Sequence, residues 1–198
     1  MDETFGKRIE RVVERTFAGE APRTAAGAAR RQDERLPRAP GRHLKIALGS
    51  DQRGGVLKKQ LREYLGELGH TVVDCGPGEG GAGKAGDYPD IALSVAEKVV
   101  RKTCDFGIVI DAVGVGSAIA ANKVRGIRAA PCYDVEAARS SRLHNDANVL
   151  SLGANFVNRG LARRMVREWL ATPFEGGRHV PRIEKIGKIE KDGLDARL

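Results

Sequence analysis

The residues whose types and spacing could do chemistry centre on Gly107–Lys123, which reads GIVIDAVGVGSAIAANK. An apolar run ends in an acid, Asp111. A loop holding Gly114 and Gly116 follows, and an alanine-rich stretch closes on Asn122 and Lys123. Strand, glycine loop and helix in that order leave free backbone N–H groups at the helix mouth, where the dipole also favours an anion. A carboxylate there is costly unless it has a task, such as taking a proton. The bland alternative is a tight turn with no ligand. The loop is not a dinucleotide fingerprint, because the third glycine and the acid further on are missing, and no Gly-Lys-Ser/Thr follows to make a P-loop. The other candidates are Asp51 in the polar stretch Gly49–Gly55, His144 in HNDAN, and Arg178 and Arg182 in a basic loop. Two arginines four apart share a face if the segment is helical, and together they can hold a phosphate dianion.

Elements must position these residues. Leu44–Leu48 and Phe106–Ile110 read as short, mainly apolar runs, and with Thr71–Cys75, Ile127–Cys132 and Val149–Leu152 they make five predicted strands. Leu57, Leu61, Leu65 and Leu68 recur at helical spacing, as do Ile91, Val95 and Val99, and Met165, Val166 and Trp169. Further helices are expected over Ser117–Lys123, Val135–Leu143 and Ile183–Lys191. This alternation predicts an α/β fold of three layers: a five-stranded parallel sheet with helices on both faces, Rossmann-like. Ligands of such sheets sit at the carboxyl ends of strands. Asp51, Asp111 and His144 are therefore expected on one common rim.

The chain has 198 residues, long enough for one good core. Its net charge of +8 leaves an anionic metabolite or nucleic acid open as partner. Aromatics make up only 5%, which argues against a stacking platform for single strands, and no nucleic-acid partner is expected. No apolar run of transmembrane length and no signal core is present, so no membrane partner and a cytoplasmic location are expected. Cys75, Cys104 and Cys132 lack paired spacing and read as reduced, buried thiols. No metal-ligand set and no cofactor are expected.

Residues 1–43 differ from 44–198. Phe5, Ile9, Val12, Val13 and Phe17 predict an amphipathic helix, and Gly19–Gly41 reads as a flexible linker. The helix suits packing on its own domain or an oligomer contact.

Six stretches in order carry a resemblance. They are Lys45–Asp51, the Asp87-Tyr88-Pro89 loop, the Gly-x-Gly loop running into Ile119–Lys123, Gly126–Ala129, His144–Leu150 and Glu175–His179. Over about residues 44 to 190 the chain resembles the ribose-5-phosphate isomerase B family, which includes both subunits of galactose-6-phosphate isomerase. The resemblance implies a metal-free aldose–ketose isomerase. It would move a proton between C1 and C2 of a phosphorylated sugar through an enediolate. It also implies a dimer, or a dimer of dimers, with each site shared between two subunits. On this resemblance His144 opens the sugar ring and Asn145 binds the sugar beside it. Asp51 works with the ring oxygen and a hydroxyl, and Tyr88 lies near the sugar. Gly114 and Gly116 belong to the loop that stabilises the oxyanion, and Arg178 and Arg182 hold the phosphate.

The chain departs from the isomerase B pattern at the centre. Asp111 stands where that pattern has its cysteine base. Ala112-Val113 replaces a Gly-Thr pair, Gln52 replaces a histidine, and Asn155 replaces a phosphate arginine. The central loop is closest to the A subunit of galactose-6-phosphate isomerase, which works beside a cysteine-bearing B subunit. The expectation is an isomerase acting on a ribose 5-phosphate or galactose 6-phosphate type of sugar, with Asp111 as base. Two alternatives stand beside it. One is an A-type subunit that completes the site of a cysteine-bearing homologue, with Asp111 as a helix cap. The other is a sugar-phosphate-binding module without turnover.

Overall fold

Long apolar runs with no polar face must be covered on both sides, and the fold does this with two layers of helices. The structure is a computed structural model and describes residues 43–76 and 86–192. The expected helix over 5–17, the linker, and most of the glycine-rich loop after β2 lie outside the described residues. The strands are β1 (Lys45–Ser50), β2 (Thr71–Asp74), β3 (Phe106–Asp111), β4 (Ala129–Cys132) and β5 (Val149–Gly153). The helices are α1 (Gly55–Glu67), α2 (Tyr88–Val100), α3 (Val115–Ala121), α4 (Val135–Asn145), α5 (Arg159–Ala171) and α6 (Val180–Asp192), with a 3-10 turn at Gly177–His179.

All strand pairs are parallel, in the order β2-β1-β3-β5-β4. Successive side chains of a strand point to opposite faces, and that alternation splits the core in two. Ile46, Leu48, Ile108, Ile110, Leu150 and Leu152 face α1 and α5, where Leu61, Leu65, Met165 and Trp169 meet them. Ala47, Val109 and Val149 face α2 and α3, where Val95, Val99, Ala118 and Ala121 pack. Helix starts follow local chemistry. The Asp87, Asp134 and Asn158 side chains each accept a backbone N–H at the mouths of α2, α4 and α5.

Element bounds move by a few residues from those read in the sequence, and three of the moves matter. Asp111 is the last residue of β3. The fourth helix runs past Leu143 to include His144 and Asn145 in its final turn. The last helix begins at Val180, so Arg178 to Arg182 is helical throughout, 3-10 and then α.

Candidate active site

The strand order reverses between β1 and β3, and the carboxyl ends of strands at such a switch point are where open α/β sheets bind ligands. The Asp51 N–H donates to Ile110 O at 3.1 Å, which seats the β1 loop against the end of β3. Half-buried Asp51 accepts from the Gly54 N–H at 2.9 Å, a turn that leads into α1. The Tyr88 ring reaches the same rim from the start of α2 and lies on Gly116. A Cβ at Gly116 would stand 2.8 Å from Tyr88 Cε2. Asp51, Tyr88, Asp111, Gly114 and Gly116 thus gather on the carboxyl rim.

Asp111 is 5% exposed and its carboxylate is fully engaged. Oδ1 accepts from Val113 N at 2.7 Å and from Gly114 N. Oδ2 accepts from Ser117 N at 2.9 Å and Ser117 Oγ at 2.5 Å. Burial pushes the carboxyl pKa up, but the Ser117 hydroxyl and the backbone N–H groups outweigh it and hold it below the usual carboxylate value. The turn needs a left-handed residue, and Gly114 supplies it with φ +86°. The Gly114 N–H, expected to face an oxyanion, points at Asp111 instead. The loop fills part of its own anion nest with its own carboxylate. Its backbone is pinned as well. Tyr133 Oη donates to Val113 O at 3.0 Å and Ser151 Oγ to Gly114 O at 2.6 Å. Ala154 N donates to Asp111 O at 2.8 Å and Asn155 N to Ala112 O at 3.0 Å.

The remaining candidates are elsewhere. A helix that follows one parallel strand and precedes the next runs back to the amino rim. His144 and Asn145, at the end of α4, therefore lie at the opposite end of the sheet. The expectation of one common rim is overturned. The strands put about 15–20 Å between the two ends. On this amino rim Glu175 N donates to Leu143 O at 2.9 Å, which brings the late basic loop to the end of α4. His179 stacks on His144, with ring centroids 4.5 Å apart. Glu175 Oε2 lies 3.3 Å from His179 Nε2 and 3.7 Å from His144 Nε2. Arg178 Nε donates to His179 Nε2 at 3.4 Å. Burial, with His144 and Arg178 close by, holds the His179 imidazole below its ordinary pKa. Arg178, Arg182 and Asn145 are exposed.

Sequence reasoning missed two residues here. Glu175 was only part of a motif, and His179 was only a neighbour of the arginines. Their spacing of four was the available signal, although only His179 lies in the 3-10 turn and Glu175 stands two residues before it. The fold also assembles a set of metal-ligand types where the sequence offered none: atoms of His144, Glu175 and His179 lie within 4.8 Å of one another.

The sequence model of the family described as Ribose/Galactose Isomerase matches residues 46–186. The chain belongs to that family. Among relatives of this isomerase-family chain, the ribose-5-phosphate isomerase B of Escherichia coli is 44% identical over 147 residues, covering 74% of this chain and 97% of the relative. The D-erythrulose-4-phosphate isomerase of Pectobacterium atrosepticum is 39% identical over 147 residues, covering 74% of this chain and 95% of that one. A solved ribose-5-phosphate isomerase B from Clostridium thermocellum superposes with a TM-score of 0.71 at 48% identity, covering 75% of this chain and 99% of that chain. The enzyme from Mycoplasma genitalium, solved with bound ribulose-5-phosphate, gives 0.70 at 42%, covering 75% and 97%. No helix among the described residues is long and apolar enough to cross a membrane.

Proposed function

We propose that this chain catalyses the aldose–ketose isomerisation of a phosphorylated sugar through an enediolate, at a site closed by two chains that bring opposite rims together. The observation that carries this reading is the division of the candidate residues. Sugar-end chemistry sits on the carboxyl rim, with Asp51, Tyr88 and the glycine loop. Ring opening and phosphate holding sit on the amino rim, with His144, Asn145, Arg178 and Arg182. Neither rim alone offers both an oxyanion partner and a phosphate clamp. A second copy of the chain supplies the missing half by two-fold symmetry. His144 beside Glu175 is placed to carry a proton to or from the ring oxygen. The N–H groups of Val115 and Gly116, at the start of α3, remain for the developing oxyanion.

Mixing two inactive variants tests the shared site. Asp51→Ala breaks the carboxyl rim and His144→Ala the amino rim. Each alone is expected to lose turnover. An equal mixture with subunit exchange recovers activity in about a quarter of sites, because each mixed dimer holds one intact site. No recovery despite proven exchange rejects the shared site.

Asp111 favours a second reading of the proton step. Its four accepted hydrogen bonds leave no lone pair for a C–H proton, and a carboxylate held below its usual pKa is a weak base. Under this reading Asp111 clamps the loop, and a cysteine-bearing homologue provides the base. Ser117→Ala discriminates, because it frees a position on Oδ2 and removes a group that lowers the carboxyl pKa. With Asp111 as base, kcat rises and its acid limb moves to higher pH. With Asp111 as clamp, neither happens. Assay of the chain alone on ribose 5-phosphate and galactose 6-phosphate, with chelator present, sets the frame. Turnover alone supports a self-sufficient enzyme, and turnover only with a cysteine-bearing homologue supports the paired subunit. Binding without turnover in both overturns isomerisation.

A further inference from the structure

We propose that His144, Glu175 and His179 bind one first-row divalent cation of the zinc class, and that this cation inhibits the chain by engaging His144. The inhibitory half rests on the isomerase reading above; the binding half does not.

Among the described residues this is the one set of three ligand-type side chains brought together. Two ligands of a tetrahedral zinc stand about 3.4 Å apart when each is about 2.1 Å from the metal. The two edges to Glu175 Oε2, at 3.3 Å and 3.7 Å, are already near that length. Two imidazoles and one carboxylate suit zinc or cobalt rather than magnesium or calcium, which prefer oxygen alone. The remote nitrogen of His144 has the outer partner that metal-bound imidazoles use: Nδ1 shares a 3.0 Å hydrogen bond with Ser140 Oγ, leaving Nε2 for the cation. His179 is 4% exposed, so packing holds its ring. The other two are free to close on the metal, with His144 half-buried and Glu175 exposed.

Two adjustments accompany binding. The imidazoles now stack at 19°, and their nitrogens converge on one ion only when His144 turns. The cation also displaces the 3.4 Å bond from Arg178 Nε to His179 Nε2, which is long for a hydrogen bond. Three protein ligands leave a further position for water, the pattern of an open site. The cation is not a participant in isomerisation. It takes the histidine that ring opening needs.

The test uses the full chain, stripped with chelator and dialysed. Cobalt(II) is titrated in without substrate and its visible absorption recorded, and zinc is titrated by calorimetry. One equivalent per chain is expected to saturate both signals. Glu175→Gln and His179→Gln each weaken binding at least about tenfold, while His43→Gln, outside the cluster, leaves it unchanged. Should His179→Gln fail to fold, Glu175→Gln on the exposed side chain decides alone. Absence of saturable binding, or binding indifferent to Glu175→Gln, overturns the site. Zinc is then expected to lower kcat reversibly, with chelator restoring it. A bound cation that leaves turnover untouched overturns the inhibition. The cobalt signal needs no turnover, so its failure is distinct from failure of the isomerase reading.

Discussion

Asp111→Asn is expected to lower the unfolding free energy by about 2–4 kcal/mol at neutral pH. An asparagine presents one oxygen and one NH2 group to four donors. Whichever way the amide turns, its NH2 faces either the Val113 and Gly114 N–H groups or the Ser117 N–H and hydroxyl. With the NH2 toward the loop, the Val113 and Gly114 N–H groups lose their acceptor. With it toward Ser117, the hydroxyl turns to accept and the Ser117 N–H is orphaned. Each orphaned donor costs about 1–3 kcal/mol, and the donors still paired trade a carboxylate for a weaker neutral acceptor. The effect has a definite pH signature. The carboxyl pKa is lowered in the folded state, so its contribution is present above the unfolded value of about 3.9 and is lost as pH falls through the folded value. Parent and variant should therefore converge in strong acid. Urea denaturation at pH 7 and at acid pH measures both points. A gap near zero at pH 7, or one that persists unchanged into strong acid, would sink the clamp.

Gly153→Ala is expected to do at least as much damage from the other side of the loop. A Cβ there would stand 2.3 Å from Val113 O and 2.6 Å from Val113 C. These are backbone atoms, and they cannot step aside. Val113 O is held by Tyr133, and the carbonyls of Asp111 and Ala112 are held by Ala154 and Asn155. Overlap with a pinned backbone costs about 3 kcal/mol or more, which corresponds to a melting temperature lower by roughly 6–12 °C for a chain of this size. Affinity for sugar phosphate should fall with it, because the displaced segment leads into α3. A variant that melts with the parent would show that the loop has slack this structure does not display.

The sheet was legible in the sequence because its central strands are buried on both faces. Ile46–Leu48 and Ile108–Ile110 are unbroken apolar runs, and Val149–Leu152 is interrupted only by the small, buried Ser151. Helix faces were equally legible where leucines and valines recur at three and four. The end of α4 was not. Beyond Leu143 its last residues, His144 and Asn145, are polar, so the helix read as ending early and His144 as lying in a loop. The topology itself contained the correction. In a run of parallel strands, whatever directly precedes a strand lies on the amino rim. The position of Asp111 was legible, but its engagement was not. That depends on the left-handed turn at Gly114, which brings N–H groups from as far as six residues along the chain onto one carboxylate. The proximity of His144 to His179 joins residues far apart in sequence, and no local spacing encodes it.

The strand order has a consequence for how the chain reaches this state. β4 pairs with β5 and with no other strand among the described residues, and β5 stands between it and β3. During synthesis β4 emerges before the one strand that can accept it. Until Val149–Gly153 has left the ribosome and docked on β3, Ala129–Cys132 has no place in the sheet, and pairing over such sequence distances is slow. β1, β2 and β3 can assemble while the rest of the chain is still being made. The carboxyl-rim half of the site therefore has β1 and β3 early, but its glycine loop gains the Tyr133, Ser151, Ala154 and Asn155 partners only once β5 has docked. The amino-rim half waits for β5, α5 and the turn after them to fold last.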